Sequence, residues 1–492
     1  MANLVQRRIC RSSLGLPRVS LVLFFLANCL GWAATNLWAA DQETVKQTPP
    51  NIIFILADDL GYSDVGFHGS EIQTPHLDRL AAAGAKLESF YVMPVCTPTR
   101  ASLMTGRYPM RYGLQSGVIR PWSNYGLSLE ERLLPAALRE AGYATAVSGK
   151  WHLGQHEPAY LPTNRGFDQQ YGHYCGAIDY FRHDRDGGHD WHRNDQVNRD
   201  EGYATTLIGQ EAVRVIQQHD TAKPLFLYVP FNAPHAPLQA LPEHVEIYKD
   251  IPNPKRRNYA AMVHAMDEQI GQIAAAIAER DLTQKTLIVF SSDNGGPTKN
   301  GATNRPFRGG KSTLYEGGVR AVAFATWPDK IPAGITVSEP LHMVDWYPTL
   351  LKLAGGNLEQ PLPLDGRDLW PVLTMRAPSP HDEILLNVTP NAGAIRIGNW
   401  KLVVRGPLVP DRSPKENGVD PAKAANQRKS TRLERELFRL DEDPTESRNV
   451  VMMHPEVSKK LEARLREYAQ AAAPVLFNEQ PKDFQVPAVW GE

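Results

Sequence analysis

The seven residues Asn51-Ile52-Ile53-Phe54-Ile55-Leu56-Ala57 constrain this chain more than any other stretch. A continuous apolar run of this kind suits a central strand covered on both faces, not a strand with one wet face. It stops at Asp58-Asp59, so two carboxylates are expected at the carboxyl end of a buried strand. In open α/β sheets, ligands bind along that edge. Asp pairs also cap turns, and alone these two allow either reading.

The same alternation continues downstream. Residues 74–84 have helical spacing with Pro75 near the start and Gly84 at the stop, and residues 101–105, 129–141 and 259–280 read as further helices. Residues 144–148, 224–229 and 286–291 read as strands. Strands alternating with helices imply an α/β fold with a large, mostly parallel central sheet flanked by helices. Lys150, His152, His235, Asp293 and Asn294 all fall just past strand ends, where they can converge. Composition changes near Ala377-Pro378-Ser379-Pro380. Beyond it, short strands at 383–387, 394–397, 401–405 and 436–440 and a helix at 455–472 suggest a smaller C-terminal α+β domain. Residues 408–432, rich in Pro, Lys, Arg and Asn, read as an exposed loop. The expected division is 1–40 signal peptide, 41–376 catalytic domain and 377–492 smaller domain.

The leader assignment rests on order. Arg7, Arg8, Arg11 and Arg18 precede an apolar stretch centred on residues 21–26, and Ala39-Ala40 precede the first acidic residue, Asp41. Basic, apolar, then small is the order of a signal peptide, and the apolar run is short for a membrane span of ~20 residues. The chain is therefore expected to be exported, periplasmic or secreted, with no stable membrane insertion once the leader is removed. The 53 basic and 54 acidic residues nearly cancel. No global field draws the protein to nucleic acid, so an anion site must be local. Of four cysteines, two lie in the leader, leaving Cys96 and Cys175; one bridge between them is the simplest use. Cys175 reads as packing.

Cys96 is the more informative. It stands in Cys96-Thr97-Pro98-Thr99-Arg100, followed by Ala101-Ser102-Leu103-Met104-Thr105-Gly106. A Cys at a helix N-terminus is electrostatically activated, and Arg100 one turn later can bind an anion. Asp58, Asp59, Asp293 and Asn294 supply the oxygen ligands a hard cation takes. Lys150 and His152, two apart in Gly149-Lys150-Trp151-His152, can reach one cleft from an extended segment.

The string from Cys96 to Gly106 resembles the signature of the sulfatase family. So do Gly149-Lys150-Trp151-His152, His235-Ala236-Pro237, Ser292-Asp293-Asn294-Gly295-Gly296 and Lys311 after Gly309-Gly310. The stretches His235-Ala236-Pro237-Leu238-Gln239, Met266-Asp267-Glu268, Ser292-Asp293-Asn294-Gly295-Gly296, Tyr315-Glu316-Gly317-Gly318-Val319-Arg320 and Asp345-Trp346-Tyr347-Pro348-Thr349-Leu350 look most like the arylsulfatase B (N-acetylgalactosamine-4-sulfatase) branch. The resemblance runs from Pro50 to about Asn449 and implies an alkaline-phosphatase-like fold. It implies that Cys96 is oxidised to formylglycine by a maturation enzyme of the host, and that the hydrated aldehyde attacks sulfur. It implies one Ca²⁺ held by Asp58, Asp59, Asp293, Asn294 and the residue at 96. Arg100, Lys150, His152, His235 and Lys311 are the implied catalytic set, with His235 protonating the leaving alcohol and His152 acting as base. Asp179, Tyr180, His173 and Arg308 lie where relatives often touch substrate. The expected substrate is a sulfated carbohydrate, a glycosaminoglycan among them, or an aryl sulfate. Two alternatives stand beside it: a phosphonate or phosphate monoester hydrolase on the same fold, and an inactive glycan-binding homologue. His183, His189, Trp191 and His192 are either glycan contacts or a solvated loop.

Overall fold

The computed structural model describes residues 49–409 and 433–492. The expected leader, and residues 410–432 of the expected loop, lie outside them. Among the described residues, no helix is long and apolar enough to cross a membrane.

Asn51–Ala57 is a strand, and every one of its residues is buried. Its side chains alternate between two cores: Ile52, Phe54 and Leu56 join one, and Ile53, Ile55 and Ala57 the other. Helices cover both faces, as the unbroken apolar run demands. Pro75–Ala82, Ala204–Gln218 and Pro254–Glu279 pack on one side. Cys96–Thr105, Leu134–Glu140, Trp346–Leu353 and Trp370–Met375 pack on the other.

The sheet has ten strands. Its centre is five parallel strands in the order Thr286–Ser292, Asn51–Ala57, Leu225–Pro230, Ala144–Lys150, Gln169–His173. Parallel pairing puts all five carboxyl ends on one edge: Ala57 lies opposite Ser292, Leu56 opposite Pro230, and Lys150 opposite His173. Antiparallel strands close both flanks, at Ala323–Thr326 on one and His192–Arg193 on the other, so the sheet is mixed.

Glu383–Thr389, Ala392–Ile397, Trp400–Arg405 and Glu434–Arg439 form a separate four-stranded antiparallel sheet. The helix Pro455–Ala471 packs on it through Leu461, Leu465 and Ala469. Lys401 links this sheet to the main layer. Its Nζ lies 2.8 Å from both Glu316 Oε1 and Glu446 Oε1, with all three side chains buried. After the helix the chain turns back. Ala473 and Leu476 N–H groups donate to Met110 and Gly113 carbonyls, and Trp490 N–H donates to His189 carbonyl.

Several element ends differ from the sequence reading. The helix expected over 129–141 is only Leu134–Glu140. Pro135 sits in its first turn, and residues ahead of a proline are disfavoured in the α region. The helix expected at 101–105 begins five residues earlier, at Cys96. Pro98 is tolerated there because first-turn N–H groups have no intrahelical acceptor. The long helix begins at Pro254, where Asn253 caps it by accepting from the Lys255 and Arg256 N–H groups.

Candidate active site

Cys96 is buried at the first position of its helix, and the two threonines of its motif fix that start. Thr99 Oγ1 donates to the Met93 carbonyl at 3.1 Å and accepts from Met93 N–H at 3.0 Å. Thr97 Oγ1 donates to the His152 carbonyl at 3.1 Å and accepts from Ile119 N–H at 3.2 Å. The helix start is thereby tied to the segment carrying Lys150 and His152. Cys96 Sγ lies 3.5 Å from Asp58 Oδ1, 3.9 Å from Asp59 Oδ1 and 3.4 Å from Lys311 Nζ. Cys96 and Cys175 are both free and buried, so the simple alternative of one bridge between them does not hold.

The carboxylates are matched by cations. Lys150 Nζ donates to Asp58, and Lys311 Nζ donates to both oxygens of Asp59 at 2.6 and 2.7 Å. Arg100, wholly buried, donates from Nε and Nη2 to Asp293 Oδ2 at 3.2 and 2.9 Å and from Nη1 to the Lys150 carbonyl. Burial alone would raise Asp58, but Lys150, His235, Arg100 and Lys311 hold it well below the usual carboxylate range. Asp293 is pushed up by burial and by the Asp58 charge, against Arg100. The Cys96 thiol is pushed up as well, first by burial and then by Asp293 and Asp58. A helix N-terminus was expected to favour a thiolate here; burial among acids outweighs it.

Asn294 Nδ2 donates to Asp59 Oδ1 at 2.8 Å, while its Oδ1 is buried with no protein partner. Three carboxylates and an unclaimed amide oxygen at one point are a donor set that fits a hard divalent cation. Asp58, Asp59, Cys96 and His235 can offer ligand atoms within 4.8 Å of one another. Asp59 and His152 have positive φ, 70° and 59°, a conformation uncommon for non-glycine residues and concentrated at functional sites.

The two histidines present different atoms. His152 Nε2 lies 3.0 Å from the Ile119 carbonyl, which can only accept, so the proton is on Nε2 and Nδ1 carries the lone pair. That Nδ1 is buried without a partner. Burial, then Lys150 and Arg100, keeps the ring neutral. Gly176 makes room for it, since a Cβ there would lie 2.4 Å from Nε2. His235 is turned toward solvent, its side chain 21% exposed, with Nε2 3.5 Å from Asp59 Oδ2 and Nδ1 donating to the Ala236 carbonyl.

The expected substrate contacts divide. Asp179 is half-buried beside this edge and accepts from Gln239 Nε2 at 2.8 Å. Tyr180 is buried and reaches the Asn232 and His235 carbonyls at 2.6 and 2.8 Å, so it supports the His235 turn from below. His173 is buried at its strand end, with Nδ1 against the Cys175 carbonyl and Nε2 unpartnered. Arg308 turns to the C-terminal sheet, bonding Glu436 and lying over the Tyr315 ring. His183, Trp191 and His192 are neither solvated nor open. Trp191 stacks between His183 and His173, and His192 stacks on Tyr174. Cys175 is packed as expected, with its N–H on Asp190. Asn232 gave no signal in sequence beyond a turn; both its amide atoms are buried without partners at the end of the Leu225–Pro230 strand.

A family model described as Sulfatase matches residues 50–356. The chain is 40% identical to arylsulfatase J of Mus musculus over 89% of its own length and 79% of that protein. It is 34% identical to arylsulfatase A of Homo sapiens over 87% and 89% of the two chains. Among solved structures it is similar to Ps i-CgsB in complex with k-i-k-neocarrahexaose, with a TM-score of 0.77 and 32% identity, covering 87% of this chain and 95% of that one.

Proposed function

Since the chain belongs to the sulfatase family and is a sulfuric ester hydrolase, we propose that it cleaves a sulfated, galactose- or galactosamine-containing sugar outside the cytoplasm, using a formylglycine made from Cys96 and one Ca²⁺. The observation that carries this reading is the position of Cys96 Sγ, with the Asp58 and Asp59 carboxylates on one side and Lys311 Nζ on the other. Similarity to an N-acetylgalactosamine-6-sulfatase and to a structure in complex with neocarrahexaose supports the substrate class.

Asp58, Asp59, Asp293 and Asn294 would hold the cation, with the residue at 96 completing the shell. Bound there, Ca²⁺ supplies a Lewis acid for a sulfate oxygen. The hydrated aldehyde at 96 supplies an oxygen nucleophile. Arg100 favours the charged form of Asp293 and aligns it, while burial and Asp58 raise its affinity for a proton, so that Asp293 can take one up from that nucleophile. Lys150 and Lys311 face the negative charge that builds on the sulfuryl oxygens. With Nδ1–H held by the Ala236 carbonyl, a doubly protonated His235 would deliver a proton from Nε2 to the departing alcohol oxygen. His152 receives a proton at Nδ1, and its buried, neutral state suits a base.

Peptide mass analysis at position 96, alongside sulfate release from defined sulfated oligosaccharides, tests the proposal. Formylglycine at 96 and sulfate release are expected. Active protein with an unmodified thiol would overturn the mechanism. Faster turnover of aryl phosphonate monoesters than of sulfate esters would overturn the substrate class.

A further inference from the structure

A second cluster lies away from the sheet edge, on the outer helices. We propose that His244, His264 and Glu268 form a binding site for a Zn²⁺-type dication, separate from the catalytic centre. His264 and Glu268 are four apart, hence on one face of the helix Pro254–Glu279. His244 comes from the neighbouring helix Pro242–Ile247. Glu268 bridges them: Oε2 is 3.0 Å from His244 Nε2, and Oε1 is 3.6 Å from His264 Nε2. The three donor atoms lie within 4.8 Å of one another. Tetrahedral Zn²⁺ with ligands at ~2.0–2.1 Å sets them ~3.3 Å apart, within reach of small side-chain rotations.

Two imidazoles and one carboxylate suit a borderline dication and not Ca²⁺, which takes oxygen ligands. The surroundings orient the donors. His264 Nδ1 is 3.0 Å from Tyr248 Oη, which also accepts the Gln73 N–H. With Nδ1–H donated to that oxygen, Nε2 is left as the lone pair for a metal. His244 is buried, and its Nδ1 has no partner. Glu268 is half-exposed, which leaves a route in for the ion and a fourth position for water. Bound metal would pin the short helix that begins seven residues after His235 to the long helix beneath it.

The test uses full-length protein stripped with chelator, saturated with Ca²⁺, then titrated with Zn²⁺ alone by calorimetry and with Co²⁺ by visible absorption. One equivalent of Zn²⁺ and tetrahedral Co²⁺ bands are expected. His264→Ala and Glu268→Gln should each weaken binding at least about tenfold. Glu268→Gln keeps the side-chain shape on a half-exposed helix face, so it reports even if His264→Ala folds poorly. Zn²⁺ binding unchanged in Glu268→Gln, or abolished by Asp59→Asn instead, would place the ion in the catalytic centre and overturn the proposal. So would an absence of binding to the wild-type protein.

Discussion

Cys96 illustrates how environment decides what a residue can do. As a thiol it is buried against two carboxylates, where a thiolate is disfavoured; as an oxygen donor it would meet Lys311 and a cation. Cys96→Ala is therefore expected to lower sulfate release by on the order of 10⁴-fold or more, with the thermal midpoint little changed. Calorimetric Ca²⁺ titration and turnover should separate that variant from Asp59→Asn, which loses cation binding as well as activity. Chelation of the wild-type enzyme should abolish turnover, and added Ca²⁺ should restore it. Most site residues were legible because each directly follows an apolar run or sits in a distinctive string. Asn232 and Gly176 were not, since an unpartnered amide and a Cβ clash exist only in three dimensions. Arg308 and Lys311 are three apart and equally basic on paper. Only the packed fold shows that one turns to Glu436 and the other to Asp59.

At the scale of elements, the turns after the five parallel strands bring Asp58, Asp59, His152, His235, Asp293 and Asn294 to the start of the helix that carries Cys96. The Tyr180 hydroxyl holds the turn after Leu225–Pro230 at two carbonyls, one of them that of His235. Tyr180→Phe leaves the reacting groups in place and removes that support. A loss of ~1–2 kcal/mol is expected, read as a fall in kcat/KM of about tenfold with only a small drop in thermal midpoint. Strands were readable because unbroken apolar runs leave few alternatives. Helix ends were less so, because proline placement and capping shift them by several residues without changing the apolar pattern, as at Pro98, Pro135 and Asn253.

For the molecule as a whole, the buried Glu316–Lys401–Glu446 group joins the small sheet to the large one. Replacing Lys401 strands the buried Glu446, while Glu316 keeps Arg320 and the Tyr91 hydroxyl, so Lys401→Met should cost ~3–5 kcal/mol of stability by denaturant unfolding. Burial raises Glu446 from 4.5 to about 7, against Lys401 and with Glu316 adding to the rise. The folded state then holds a proton that the unfolded chain has released, so wild-type stability falls as pH climbs from about 4.5 to 7. Glu446→Gln removes that loss. Its midpoint relative to wild type should increase from pH 5 to pH 8, and a constant offset would contradict the assignment. The small sheet was foreseen from its short strands; this link was not, because its three residues are far apart in the chain. Synthesis has its own order, and the returning C-terminal tail makes that order matter. Trp490 bonds the His189 and Arg185 carbonyls, yet it is synthesised 305 residues after Arg185. A nascent chain stalled before it would already contain every candidate catalytic residue, with the Asp184–His189 hairpin still unclasped. That clasp closes only once Trp490 itself has emerged.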